Sequence, residues 1–333
     1  MSRKTRKLKA KLLAPFEWLG IGLGLAVLPW LSRRALFGVC DFLSAVLYRC
    51  DRRGRRFALE TLRIVRGRER DTVRVLRFDV DRAAFDPTPA ERTVLRRSYR
   101  NMVRTVGYAF WTFRRARARC AETGVMSEEG RRLLATYRPA VTVSGHIGCW
   151  EILSQLAFLE GHPMMSVAKD IGTAGMTRLL MRARRSIGQE IVSAEGAFRP
   201  LMAGIRAGKS LGLLVDQSVS PKKGGVWVRF LGHPICVSAA PAFFAAKAKA
   251  PVLVAWSRPL PDGPGPAYRC DVVDVIPPEA ARDVWATTQR CARDLERIVR
   301  RHPSCWVMNY HFFNNWPRPE DLATLAEREA KAR

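Results

Sequence analysis

From Arg138 onward the chain alternates short apolar runs, many of them β-branched, with segments of helical periodicity, and this alternation restricts the fold more than any other feature. Runs at Ala140–Ser144, Met164–Ala168, Glu190–Ser193, Ser210–Val215, Val226–Phe230, Val252–Ser257, Tyr268–Val275 and Cys305–Tyr310 read as strands. Helical patterns at Glu151–Leu159, Thr173–Ile187, Phe198–Ala207, Ala239–Lys249 and Arg282–Arg301 fill the gaps between them. Such an order predicts an α/β fold with a central, mostly buried mixed sheet flanked by helices. Residues before about Ala121 read as helical, clearest at Arg55–Val65 and Pro89–Arg119, with Val73–Phe78 a short strand or turn. The expected organisation is a membrane-anchoring or interfacial helical segment at 1–50, a helical region at 51–121, an α/β catalytic domain at 122–318 and a polar tail at 319–333.

In open α/β sheets, reactive groups gather beyond the carboxyl ends of the strands. His146 and Asp216 both fall at such ends, and Glu151 follows His146 at the start of a helical pattern. A histidine there can take a proton from an alcohol near neutral pH, and a neighbouring carboxylate can hold its tautomer and stabilise the imidazolium. Glu151 is the carboxylate expected to orient the ring. Backbone N–H groups around Gly145 and Gly148, at the start of the helix, are candidates for an oxyanion site.

The stretch from Gly145 through His146 to Glu151 resembles the His-x4-Asp/Glu motif of the bacterial lipid A late acyltransferases, within the wider lysophospholipid acyltransferase-like group. Further blocks resemble that family in the same order: Leu211 to Gln217, Gly225 to Gly232, Ala239 to Ala242 and Ala250 to Val254. The resemblance runs to about Trp316, although Asn309 and the aromatic residues after it depart from the family's usual ending. It implies an O-acyltransferase that moves a fatty acyl group from an acyl-carrier-protein or acyl-CoA thioester to a hydroxyl of a lipid A precursor or related glycolipid or lysolipid. His146 and Glu151 would be catalytic. Arg184 would bind a substrate phosphate or the transition state, with Asp216 and Gln217 as a strand-end pair in the substrate site. Lys169 stands where the family commonly has arginine, and Lys222 and Lys223 form a basic turn suited to a phosphate or a phosphopantetheine arm. No metal or redox cofactor is implied.

Composition agrees with an anionic partner: 57 Lys and Arg against 30 Asp and Glu leave a formal charge of +27. Anionic lipids and an acidic acyl carrier protein both fit. Specific nucleic-acid binding is not expected, because no recognised nucleic-acid-binding motif stands out. The N-terminus adds Arg3, Lys4, Arg6, Lys7, Lys9 and Lys11 before an apolar stretch, Leu12–Leu31, whose only charge is Glu17. With Arg33 and Arg34 directly beyond it, this stretch reads as an interfacial or re-entrant segment rather than a clean crossing or a cleaved signal. The expected location is the bacterial inner membrane, with the catalytic side facing the cytoplasm.

Eight cysteines without a Cys-x2-Cys pair exclude a zinc ribbon, and most of them read as reduced, buried residues. Two rival functions stay open. One is a basic peripheral-membrane or nucleic-acid-binding protein that kept the fold without catalysis. The other is an acyl hydrolase with Cys149 or Ser144 as nucleophile.

Overall fold

The computed structural model describes residues 19–168, 181–182, 185 and 187–332. The basic N-terminal cluster, residues 12–18 of the apolar stretch, Lys169, Arg184 and most of the helix expected at Thr173–Ile187 lie outside the described residues. Residues 19–27 are helical and lead through a 3-10 turn at Leu28–Trp30 into α1 (Arg33–Cys50), which Ser32 caps. Then come α2 (Arg52–Val65), α3 (Thr72–Leu76), α4 (Pro89–Trp111), α5 (Ala116–Thr123), β1 (Gly124–Met126) and α6 (Glu128–Thr136). The chain continues through β2 (Val141–Ser144), α7 (Trp150–Leu159), β3 (Met164–Ala168), β4 (Glu190–Ser193), α8 (Phe198–Arg206) and β5 (Ser210–Leu214). It ends with β6 (Gly225–Phe230), β7 (His233–Ser238), α9 (Ala240–Ala248), β8 (Val252–Pro259), β9 (Tyr268–Ile276), α10 (Val284–Arg301) and α11 (Pro319–Lys331).

Among the described residues the main sheet has seven strands in the order β1-β9-β8-β2-β5-β3-β4. Neighbours run parallel except β8 and β9, which pair antiparallel, so the sheet is mixed. β2 lies between β8 and β5, and all four of its residues are buried, as a strand covered on both faces must be. Helices α2 and α4 share the core with the sheet: Leu59, Leu62, Leu95 and Tyr99 belong to the same apolar cluster as Val141, Val143, Leu211 and Val254. An ion network ties α1 to this body, with Arg100 and Arg104 of α4 each bridging Asp41 on α1 to Asp262 in the Pro/Gly-rich loop between β8 and β9. Among the described residues no helix is long and apolar enough to cross a membrane.

Several elements differ from the sequence reading. Cys305–Tyr310 is not a strand. A 3-10 turn at Pro303–Cys305 leads into irregular chain whose ladder pairing, among the described residues, is a single antiparallel bridge, Ile147 to Trp306. Both edges of β2 are already occupied, by β8 and β5, so this segment crosses the strand ends instead of joining the sheet. Val73–Phe78 is mostly α3, because the Asp71 side chain caps the N–H groups of Val73 and Arg74 and so offsets the low helix propensity of the valines. The helix expected over Pro89–Arg119 stops at Trp111 and restarts at Ala116, after Arg115 takes a left-handed conformation. Val226–Phe230 is a strand of a separate hairpin with β7, outside the main sheet. Leu231 and Gly232, both at positive φ, form its two-residue turn. The polar tail folds as α11 and pairs Glu329 with Arg229 of β6.

The start of α4 is a capping box: the Thr88 side chain accepts the Glu91 N–H at 3.2 Å, and Glu91 Oε2 accepts the Thr88 N–H at 2.9 Å. Thr88→Ala should lower the free energy of unfolding by about 1 kcal/mol in urea titrations, with an unchanged far-UV spectrum.

Candidate active site

The parallel ladder between β2 and β5 pairs Val143 with Leu213 and Ser144 with Leu214. Both strands leave the sheet after this last pair, so the second residue beyond each lies opposite the other: His146 on one side, Asp216 on the other. The two side chains meet, with His146 Nδ1 at 2.8 Å from Asp216 Oδ1. The other carboxylate oxygen, Oδ2, accepts the His146 backbone N–H and the Trp306 indole N–H, each at 2.8 Å. His146 is half-buried and Asp216 is fully enclosed.

Burial acts to raise the Asp216 pKa, but the facing His146 ring and the N–H donors from His146 and Trp306 outweigh it and hold the carboxyl below its ordinary value. Ionised Asp216 fixes the tautomer, because a carboxylate on Nδ1 demands the proton there. In the neutral ring Nε2 is thereby the nitrogen without a proton.

Glu151, expected to orient the ring, does not occupy the Nδ1 position; Asp216 does. Glu151 is buried in the first turn of α7, and its Oε1 accepts the Trp150 indole N–H at 3.1 Å. The Trp150 ring stands edge-on to the His146 ring, 5.1 Å between centroids. Glu151 and His146 thus both contact Trp150, which forms one wall of the site.

The loop from Gly145 to Cys149 is tightly constrained. A Cβ on Gly145 would come within 3.1 Å of the Asp216 Cβ and Cγ, so glycine lets the aspartate approach. Gly148 has φ +64°, and a Cβ there would overlap the Ser257 carbonyl oxygen of β8 at 1.7 Å, which leaves no other residue possible without moving the loop. The Gly148 N–H donates to Cys305 O at 2.9 Å and the Ile147 N–H to Gly145 O at 2.7 Å. With the His146 N–H committed to Asp216, three consecutive loop donors are engaged inside the protein. This takes Gly148 out of the oxyanion role expected for it. Asn101 of α4, itself buried, braces the loop by donating to Gly148 O at 3.0 Å and to Cys305 O at 2.9 Å.

The remaining candidates divide. Gln217 is half-buried beside Asp216, and Lys222 and Lys223 are exposed on the turn before β6. Arg184 and Lys169 are outside the described residues. Cys149 is fully buried, and burial pushes its thiol far above the ordinary value, so it carries no thiolate at neutral pH. Ser144 is also buried, with its hydroxyl against Gly145 O at 3.5 Å. Among the described residues no group of three or more His, Cys, Asp or Glu side chains could hold a metal ion. Sequence reasoning missed two features, the pairing of Asp216 with the ring and the part of Trp306. The strand-end position of Asp216 was visible in the sequence; the order and register of β2 and β5 were not.

A histidine–aspartate pair standing beyond two adjacent parallel strands of an α/β sheet is an arrangement that can accept a proton from a substrate hydroxyl. The chain matches the family described as bacterial lipid A biosynthesis acyltransferase over residues 3–314, and it belongs to that family. It is thus an acyltransferase of the kind that acts on lipid A-like substrates. No curated relative matches the chain.

A carboxyl with a depressed folded pKa contributes stability that is complete above its unfolded pKa, about 3.9, and is lost as pH falls through the folded value. Asp216→Asn should therefore be less stable than the parent at pH 7. The gap between the two urea midpoints should narrow as pH is lowered below about 4, where the parent alone loses this contribution.

Proposed function

We propose that the protein transfers a fatty acyl group from a thioester, carried by acyl carrier protein or coenzyme A, to a hydroxyl of a lipid A precursor or related glycolipid, with His146 as general base. The observation that carries this reading is the 2.8 Å contact between His146 Nδ1 and Asp216, which supports Nε2 as the proton acceptor. Nε2 takes the proton of the acceptor hydroxyl as its oxygen attacks the thioester carbonyl, and Asp216 stabilises the imidazolium that forms. Collapse of the tetrahedral intermediate expels the thiolate, and the imidazolium returns the proton to sulfur. No enzyme nucleophile takes part. The buried thiol of Cys149 supports direct attack over the hydrolase reading. Glu151 is proposed as the second essential carboxylate, through its hold on Trp150. Arg184 is proposed for the acceptor phosphate or the oxyanion, with Gln217, Lys169, Lys222 and Lys223 on the substrate side.

The enzyme is proposed to work at the cytoplasmic face of the bacterial inner membrane. Two features support this. The formal charge of +27 favours an anionic surface. The first helices also expose large apolar side chains, Leu19, Leu23 and Trp30 at 64–71% and Phe42 at 69%, with Leu43 and Val46 beside it on α1. Exposed large apolar side chains grouped on the same helices are what a membrane or protein contact presents.

Purified protein, labelled acyl-carrier-protein thioester and a panel of lipid acceptors test the chemistry. His146→Ala, Asp216→Asn and Glu151→Ala should each reduce the rate of labelled lipid formation by ~10²-fold or more, while Cys149→Ala retains it. Wild-type rates in His146→Ala would remove the base assignment. For the surface, Phe42→Asp with Leu43→Asp should reduce co-sedimentation with anionic vesicles several-fold at constant salt; equal binding would sink the α1 contact.

A further inference from the structure

We infer that Trp306 is a positioning residue for acyl transfer, its indole N–H fixing the Asp216 carboxylate in the plane from which it holds the His146 ring; the inference rests on the reading of His146 as base. Each oxygen of this carboxylate has a separate task. Oδ1 faces the ring nitrogen, while Oδ2 takes two donors, the His146 N–H and the Trp306 Nε1–H, both at 2.8 Å. Two donors on one oxygen resist rotation about the Cβ–Cγ bond, because any turn of the carboxylate lengthens all three contacts together. Without the indole, Oδ2 keeps one donor, and a buried lone pair loses its partner.

The indole cannot drift from this place. It is fully buried, packed at 4.2 Å between centroids on Phe312 and edge-on to Phe230 at 5.8 Å. Its backbone carbonyl accepts the Ser98 hydroxyl of α4 at 2.5 Å. The flanking residues hold the loop after β2. Val307 N–H donates to His146 O at 3.1 Å, and Cys305 O accepts the Gly148 N–H. Farther along, Asn314 Oδ1 accepts the Ser218 hydroxyl and Asn315 Nδ2 donates to Val219 O at 2.9 Å. Residues 305–315 thus form a strap across the two strand ends, and Trp306 is the point at which one of its side chains reaches the Asp216 carboxylate. Packing alone would be served by any large aromatic ring; the directed N–H is what a packing role leaves unexplained.

Trp306→Phe keeps a ring for Phe312 and Phe230 and removes only the donor. Its steady-state kinetics should be compared with those of the parent and of His146→Ala in the same transfer assay. We expect kcat to fall about tenfold to a hundredfold, the range spanned by a hydrogen bond to a charged group, with KM for the lipid within about twofold. The second measurement uses protein with 15N-labelled indoles. The Trp306 resonance, assigned by its loss in Trp306→Phe, should move upfield in Asp216→Asn, where the carboxylate acceptor becomes a neutral amide. A kcat within twofold of the parent in a folded Trp306→Phe, while His146→Ala abolishes transfer, overturns the inference and leaves the base intact. If Trp306→Phe does not fold, the resonance is assigned by elimination from single substitutions of the other tryptophans, and its failure to move in Asp216→Asn overturns the inference. Transfer retained in His146→Ala overturns the underlying reading, and this inference with it.

Discussion

Ser144 and Leu214 are the last paired residues of two parallel strands, joined beyond that pair by a hydrogen bond from the Val215 N–H to Ser144 O at 3.0 Å. Because side chains alternate along a strand, a slip of one residue in this ladder would turn Asp216 away from His146 or leave it a residue short. The register is itself held by burial. Val141, Val143 and Leu211 sit in the main core, and a slip would expose that face of β2 or β5. The chemistry of the site thus rests on apolar packing three to five residues away from it. The glycines follow from the same constraint: Gly145 makes room for the aspartate, and Gly148 passes the Ser257 carbonyl of β8 at a distance no side chain permits.

Much of this was legible in the sequence. Seven of the eight strands expected from apolar runs are strands, and the helices between them begin and end close to where the periodicity places them, outside the stretch that is not described. Failures cluster where tertiary surroundings override local preference. Asp71 turns a valine-rich segment into a helix, and a full sheet excludes Cys305–Tyr310 from the ladder. Short strands such as β1 have too few residues to show a period. β7, with a histidine and a proline at its start, was overlooked although Gly232 marks the turn before it.

The site was legible to a lesser degree. His146 and Asp216 could each be placed at a strand end, but they are 70 positions apart, and spacing along the chain favoured the nearer carboxylate. Glu151 is close in sequence because it opens α7, whose axis carries it into the wall beside Trp150. Asp216 is close in space because β5 was inserted next to β2. Proximity in sequence and proximity across a parallel sheet are different quantities, and strand order decides the second. The same holds for Trp306, a residue of irregular chain that no periodicity connects to either strand.

The order in which the parts occur along the chain has a consequence for biosynthesis. The helices with exposed apolar side chains are complete by about residue 50, whereas the histidine comes at 146, its aspartate at 216 and the indole at 306. On the function proposed above, a chain emerging from the ribosome would acquire its lipid-facing surface long before it could assemble its reacting pair. Newly made protein would reach its place of work still inactive, and catalysis would begin only when the last tenth of the chain closes over the strand ends.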